Sequence, residues 1–361
     1  MQIVIFAGGA GRRLWPISRD SSPKQFEPIV GDESTLQLAV DRVAPSYRFD
    51  SIFIATNARY LPIVRQQLPR VPADNILVEP TRRDLGPAVG LAMAHLARHG
   101  DQEPVAILWS DNYIENVPAF VSLLRAAETL IAAGTADIVF IGETPRFANE
   151  NLGWIGLGEF AGRVDDLPYY GFESLTYRPP LERCREMFAQ GTHVWNTGFF
   201  VTTPAYVRGL YERFSPEMWR QLGEIEATIG TPNYEATLHR VYPAMQAIHF
   251  DDAVLTHVDR DRALVLHSEM GWSDPGTLYA LKEALNPDPA ANVTKGLVID
   301  AASKDCLIYN YEPRKLVVAV GLEGMIVVNT DDAILVVHRD HIPLVKDVIN
   351  GLPGTELEAF S

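Results

Sequence analysis

The sequence predicts an α/β fold, in which a mostly parallel sheet with helices on both faces gives way to a small β-rich unit. Two observations carry the prediction. Short β-branched runs alternate with helix-length amphipathic stretches over the first 143 residues, the signature of strand–helix–strand units. Towards the C-terminus the rhythm becomes that of short strands spaced roughly ten residues apart, which suits a compact β unit.

In chain order, QIVIFA, SIFIAT, NILVE, VAILWSD and DIVFIGE read as strands. Between them, STLQLAVDRVA, ARYLPIVRQQL, GPAVGLAMAHLARHG and PAFVSLLRAAETLIAAG read as helices. In such sheets ligands bind beyond the carboxyl ends of the strands, where the glycine-rich loop after the first strand and the WSDN stretch both fall. From about Asn151 the pattern suggests shorter strands rich in aromatics and prolines, then helices near Pro204–Phe214 and Pro216–Ile229. The segment LNPDPAANVTKG, Leu285 to Gly296, has the composition of a linker. KLVVAVG, GMIVVNT and AILVVHR follow as strands, and IPLVKDVINGL as a terminal helix. The expected division is residues 1–285 as the main domain and 286–361 as the β-rich unit.

Composition narrows the function classes. A chain of 361 residues with 47% hydrophobic residues can bury a large core. Its formal net charge of −15 argues against nucleic acid and anionic membranes as partners, because both require extended basic faces. No apolar run approaches the roughly 20 residues of a membrane span. The N-terminus lacks the long apolar centre of a secretion signal. Two cysteines, Cys184 and Cys306, without metal-ligand spacing, fit a reduced compartment, so a cytoplasmic location is expected.

The stretch FAGGAGRRLWPISRDSSPKQF, from Phe6 to Phe26, combines glycines with basic residues directly after a strand. A dinucleotide fingerprint anchored on Gly9 and Gly11 fails, because Leu14 stands where a third small residue is needed. A Walker A loop fails too, since Arg12 and Arg13 follow Gly11 instead of Lys and Ser or Thr. What remains is a turn whose exposed N–H groups can face an anion, reinforced by cations of the same excursion. His95 and His99 stand one helical turn apart and could nominally share a metal, but with no third ligand nearby they read as a helix-face pair.

These residues resemble the sugar-1-phosphate nucleotidyltransferases, and within them the mannose-1-phosphate guanylyltransferases. Ala7 to Phe26 is similar to the family's AGGxGTRLWPxSRxxxPKQF loop, with Arg12 in the threonine place. EPTRRDLGPAVGLA from Glu79 resembles EPxxRNTAPAI, and WSDN at Trp109 resembles PADH. WNTGFF at Trp195 resembles WNSGMF, FDDAV at Phe250 resembles IDYAV, and GWSDPGTL at Gly271 resembles WxDVGSW. The resemblance runs in order over essentially the whole chain. It implies a Rossmann-like (GT-A-like) mixed sheet flanked by helices, with a left-handed β-helix-like C-terminal unit. Longer family members carry an isomerase domain, and none is expected in these 361 residues. Members commonly dimerise, so a homodimer is expected, with the β-rich tail as its surface.

The resemblance also implies the reaction. Mannose 1-phosphate attacks the α-phosphorus of GTP, and pyrophosphate leaves. A sugar phosphate with a second pKa of about 6 is already ionised, so no general base is required. Cations must instead bring two polyanions together. By resemblance, Ala7, Gly8, Gly9, Gly11 and Arg13 hold the nucleotide phosphates, while Glu79 and Arg83 face the base. Lys24 meets the phosphates at the reacting centre, and Asp111 and Asp274 hold Mg2+, so Arg13, Lys24 and Asp111 form the catalytic set. Gly153, Arg178, Asn196 and Asp251, with Lys24, are expected at the sugar phosphate. The chain departs from the family at Asp84 and Leu85, at Tyr177 in place of a sugar-binding Glu, and at Thr256. Those departures keep another sugar 1-phosphate (glucose or heptose type), another nucleotide, or a non-catalytic nucleotide-sugar sensor in view.

Overall fold

The computed structural model describes residues 1–9, 14–19 and 21–360, and its contacts divide the chain into two compact units. The first comprises Met1–Gly8, Ala39–Ser110 and Ile114–Trp272. Its centre is a nine-stranded sheet of β1 (Gln2–Ala7), β2 (Ile52–Asn57), β3 (Ile76–Glu79), β4 (Val105–Trp109), β5 (Ile138–Glu143), β6 (Gly153–Val164), β7 (Leu167–Tyr177), β8 (His193–Thr202) and β9 (Ala263–Ser268). The order is β3-β2-β1-β4-β8-β5-β9-β7-β6.

Strands β1 to β4 are parallel, as their apolar runs predict, and β5 is parallel to β9. The mostly parallel expectation fails in the second half. Strand β8 runs antiparallel between β4 and β5, and β6 and β7 form an antiparallel hairpin. The expectation of shorter strands after Asn151 fails as well, since β6 and β7 have 12 and 11 residues. Their turn contains Asp165 and Asp166 with φ of 47° and 65°, the left-handed pair that tight hairpins favour. The sequence Asp-Asp gives a weaker cue for this than Asn-Gly would. The helix Leu85–Leu96 is apolar nearly all round and packs against Pro204–Phe214 and Pro216–Glu226.

The second unit comprises Gly9–Leu38, Asp111–Tyr113 and Ser273–Ser361. Its strands are β10 (Val293–Lys295), β11 (Val298–Ala301), β12 (Leu307–Asn310), β13 (Val317–Val320), β14 (Met325–Asn329) and β15 (Ile334–His338). Successive strands alternate between two sheets. β10, β12 and β14 form a parallel ladder closed by antiparallel β15, while β11 and β13 pair in parallel elsewhere. Each coil therefore gives one strand to each sheet, which is a β-helix-like arrangement. Cys306, Ile308 and Ala319 fill its interior, and Asn329 Nδ2 donates to Asn310 Oδ1 at 2.7 Å between neighbouring coils. The predicted linker Leu285–Gly296 ends inside this ladder, because Val293–Lys295 is its first strand. Three residues are too few to stand out from a Pro- and Asn-rich background. Among the described residues, no helix is long and apolar enough to cross a membrane.

Candidate active site

In the first unit, β1 ends at Ala7, whose carbonyl accepts the Thr56 hydroxyl at 2.9 Å. The next residue, Gly8, is placed so that a Cβ would stand 3.3 Å from Glu79 Oε1, which puts the β3 carboxylate beside the loop's entry. Glu79 Oε2 accepts the Tyr242 hydroxyl at 2.7 Å. Burial pushes the Glu79 carboxyl up to about 6, against the Tyr242 hydrogen bond and Arg82, which pull it down. Arg83 donates to the Pro243 carbonyl, and its buried Nε has no partner among the described residues. Asp84, at the head of helix Leu85–Leu96, adopts φ 61°.

Three strands of the same unit form a second cluster. Gly153 of β6 is paired with Tyr177 of β7 on one side and with Asn196 of β8 on the other. Directly opposed residues share a face of the sheet, so a residue without a side chain lies between two long ones. Asn196 Oδ1 is held by the Gly198 N–H at 2.9 Å, and its amide nitrogen is the group that remains to donate. Tyr177 is 71% exposed. The Arg178 guanidinium lies 5.1 Å from its ring centroid, from a residue with φ 44°. Asp251 and Thr256 are exposed on the short turns Phe250–Ala253 and Leu255–His257.

In the second unit, a short helical turn Lys24–Phe26 buries Lys24 at 9% exposure. Its Nζ lies 2.8 Å from Asp111 Oδ2 and 3.4 Å from Asp274 Oδ1. Burial lowers the ammonium's pKa, but Asp111 and then Asp274 outweigh it and hold the pKa above the usual lysine value. Two carboxylates that reach one ammonium delimit a space suited to a cation. A Mg2+ ion commonly uses only one or two protein carboxylates and takes its remaining ligands from phosphates and water, so this donor set fits one. Tyr113 and Ser273 exchange backbone hydrogen bonds at 3.0 Å each, which holds the two acidic segments in register. Gln25 Nε2 donates to the Gly9 carbonyl at 2.9 Å. Among the described residues, a Cβ on Gly9 would meet nothing within 4 Å.

The family pattern described as nucleotidyl transferase matches residues 2–290. The chain belongs to this family. As a member it is a nucleotidyltransferase, and the pattern of the MannoseP isomerase/GMP-like β-helix domain matches residues 296–352. The mannose-1-phosphate guanylyltransferase RfbM of Salmonella typhimurium is 30% identical over 365 residues, which take in 99% of this chain and 73% of RfbM. The alginate biosynthesis protein AlgA of Pseudomonas aeruginosa is 30% identical over 360 residues, 97% of this chain and 71% of AlgA. A crystal structure of a mannose-1-phosphate geranyltransferase from Thermus thermophilus superposes with a TM-score of 0.84 at 27% identity, covering 97% of this chain and 98% of that one.

For this nucleotidyltransferase, the structure brings Lys24, Asp111 and Asp274 together in one unit. In the other it brings together Gly8 with Glu79, and Gly153 with Tyr177 and Asn196. Gly11, Arg12 and Arg13 lie outside the described residues. His95 bonds the Tyr234 hydroxyl at 2.8 Å, and among the described residues no cluster of three or more metal-ligating side chains forms. Sequence reasoning passed over Tyr242 and Gln25, which hold Glu79 and Gly9. Gln25 had a signal in the PKQF motif, whereas Tyr242 lies 163 residues from its partner.

Proposed function

We propose that the protein is a Mg2+-dependent mannose-1-phosphate guanylyltransferase, which makes GDP-mannose and pyrophosphate from GTP and mannose 1-phosphate. The observation that carries this reading is the convergence of Asp111 and Asp274 on Lys24. The name of the relative RfbM, a mannose-1-phosphate guanylyltransferase, supports this choice of substrates.

A sugar-phosphate oxygen forms a bond to the α-phosphorus of GTP as the bond from that phosphorus to the α–β bridging oxygen breaks, and pyrophosphate carries away the electron pair. No proton need be removed, because the attacking oxygen is already ionised. Bound Mg2+ would be held by Asp111 and Asp274 and would offset the charge on the phosphate oxygens. Lys24 supplies a buried positive charge beside the same carboxylates. Glu79 offers Oε1 to the N1 and N2 hydrogens of guanine, with the Tyr242 hydroxyl fixing its other oxygen. Asn196 donates to a sugar hydroxyl, Gly153 leaves room for the ring, and Arg178 takes the sugar phosphate, which a guanidinium can bind with two parallel hydrogen bonds.

The test is pyrophosphate release by purified protein with Mg2+, over a grid of nucleoside triphosphates and hexose or heptose 1-phosphates. GTP with mannose 1-phosphate should give the highest kcat/KM. A higher value for another pair reassigns the substrate. Absence of release from every pair, with GDP-mannose still bound, would make the protein a sensor. The exposed Tyr177, where the family has Glu, is the observation that keeps a different sugar as the second reading.

A further inference from the structure

Glu143 closes β5, a run whose six residues are all buried, and its own side chain has 0% exposure. A carboxylate there costs several kcal/mol in desolvation unless its oxygens are satisfied. They are. Oε2 accepts the Met270 N–H at 2.9 Å, and Oε1 accepts the Gly271 N–H at 3.2 Å and Arg146 Nη1 at 2.9 Å. Arg146 turns its other nitrogen, Nη2, to the Trp272 carbonyl at 3.1 Å, and its guanidinium lies 5.2 Å from the Trp195 ring centroid. Glu143 and Arg146 therefore bind three consecutive residues of one backbone segment, two through N–H groups and one through C=O.

That segment is constrained from its other side as well. The Met270 carbonyl accepts the N–H groups of Glu115 at 3.1 Å and Asn116 at 2.8 Å. Gly271 has φ 63°, and a Cβ there would meet Glu115 Cβ at 2.6 Å, so only glycine lets the segment lie this close. Two residues beyond Trp272 the chain reaches Asp274, while Asp111 lies four residues before Glu115. Ser273, directly after Trp272, exchanges backbone hydrogen bonds with Tyr113, and this bridge holds the stretches that carry Asp274 and Asp111 side by side.

We propose that Glu143 and Arg146 are positioning residues for metal binding: by fixing the backbone of Met270–Trp272 they set how Asp274, and with it Asp111, is presented to Mg2+. The proposal rests on the assignment of Asp111 and Asp274 to the metal. Neither Glu143 nor Arg146 touches the ion or the substrates. A carboxylate–guanidinium pair joined through one nitrogen suits the task, because the carboxylate accepts backbone N–H groups while the second guanidinium nitrogen donates to a C=O of the same segment, which an apolar side chain cannot do. Glu143 must be ionised to accept from all three donors, and burial pushes its carboxyl up to about 7, with the Met270 hydrogen bond and Arg146 opposing.

The test uses Mn2+ as a probe on the full chain with GDP-mannose present, read as loss of the free-ion EPR signal, alongside the Mg2+ dependence of turnover. Glu143→Gln puts an amide N–H2 where a second acceptor is needed. Arg146→Ala frees the Trp272 carbonyl at a half-exposed position and does not threaten folding. Both should weaken Mn2+ binding and raise the half-activating Mg2+ concentration about tenfold, in the range typical of groups that orient metal ligands. Arg146→Lys, which can serve one acceptor but not both, should fall between Arg146→Ala and wild type. Wild-type Mn2+ affinity in Arg146→Ala would overturn the proposal, even if Glu143→Gln fails to fold. Asp274→Ala separates the two levels. If it abolishes Mn2+ binding while Arg146→Ala does not, only the positioning role fails; if it binds Mn2+ like wild type, the metal assignment fails and the positioning role with it.

Discussion

Lys24 Nζ and Asp111 Oδ2 lie 2.8 Å apart, and Asp274 approaches the same ammonium at 3.4 Å. The ammonium neutralises the two acids proposed to hold Mg2+, so ammonium and ion would compete for the same charge. Lys24→Met should therefore lower the half-activating Mg2+ concentration. It should also reduce kcat by about 10²–10³, the usual cost of removing one preorganised charge stabiliser. Steady-state kinetics over a Mg2+ titration reads both effects. An unchanged or higher Mg2+ requirement would show that the lysine does not compete.

Asp111 follows β4 by two residues at 35% side-chain exposure, and when its carboxylate is removed Asp274 remains beside the Lys24 ammonium. Asp111→Ala should leave the unfolding temperature within a few degrees of wild type and reduce turnover by at least about 10³. Thermal unfolding and pyrophosphate release on the same preparation check this. Substantial residual turnover would remove Asp111 from the metal site.

The departures at Asp84, Tyr177 and Thr256 stood out in the sequence because a long motif surrounds each, and the loop, WSDN and GWSDPG stretches pointed to the cluster that forms around Lys24. The alternation of apolar runs also gave β1 to β5 and their helices. What the sequence concealed is non-local. Strand β8 inserts between β4 and β5 from more than 50 residues away, and its alternating pattern carries no mark of which neighbours it will join. The first coils of the β-helix-like unit use strands of three and four residues, too short for periodicity to register. Glu143 looks like ordinary punctuation after DIVFIG, and only the return of Met270–Trp272 along the chain's fold reveals its partners.

Tyr177 exposes 71% of its surface in a row with Gly153 and Asn196. A phenol cannot accept protons from two neighbouring hydroxyls as a carboxylate can. Tyr177→Glu should therefore lower KM for mannose 1-phosphate by about tenfold, the effect of one added charge-assisted hydrogen bond, with KM for GTP unchanged. The comparison across hexose 1-phosphates shows which hydroxyls are read. Equal KM values for every sugar in both proteins would place Tyr177 outside the sugar site.

His95 titrates well below an ordinary histidine, at about 4, because burial disfavours its charged form and Arg98 and His99 add repulsion. Its folded-state value is depressed, so between pH 6.5 and about 4 the unfolded chain takes up a proton that the folded chain refuses. Stability is lost as pH falls through that window, by up to about 1.4 kcal/mol per pH unit. His95→Gln can keep the bond to the Tyr234 hydroxyl and does not titrate. Its stability relative to wild type should therefore improve steadily from pH 7 to pH 5. A difference independent of pH would show that His95 titrates alike in the folded and unfolded chain.

Lys282 and Asp305 form an ion pair of 2.7 Å with side-chain exposures of 1% and 5%, in the core between the helix Leu278–Leu285 and the strands of the second unit. The surroundings complete the pair: Lys282 also donates to the Asp288 carbonyl at 2.8 Å, and Asp305 Oδ2 accepts from the Tyr279 hydroxyl at 2.9 Å and from Arg339. Lys282→Met leaves Oδ1 of this buried carboxylate without its cation, with Arg339 still at Oδ2, so it should cost up to about 3–5 kcal/mol. Asp305 has φ 55°, where asparagine is tolerated and most other residues are strained, so Asp305→Asn is the clean neutralisation of the acid. Once the lysine is gone, that second change removes the stranded carboxylate's charge without disturbing the backbone. The double variant should thus be more stable than Lys282→Met alone, with a coupling of at least about 1 kcal/mol in urea denaturation. Additive losses would mean that the two charges are already paired elsewhere, Lys282 with the Asp288 carbonyl and Asp305 with Arg339.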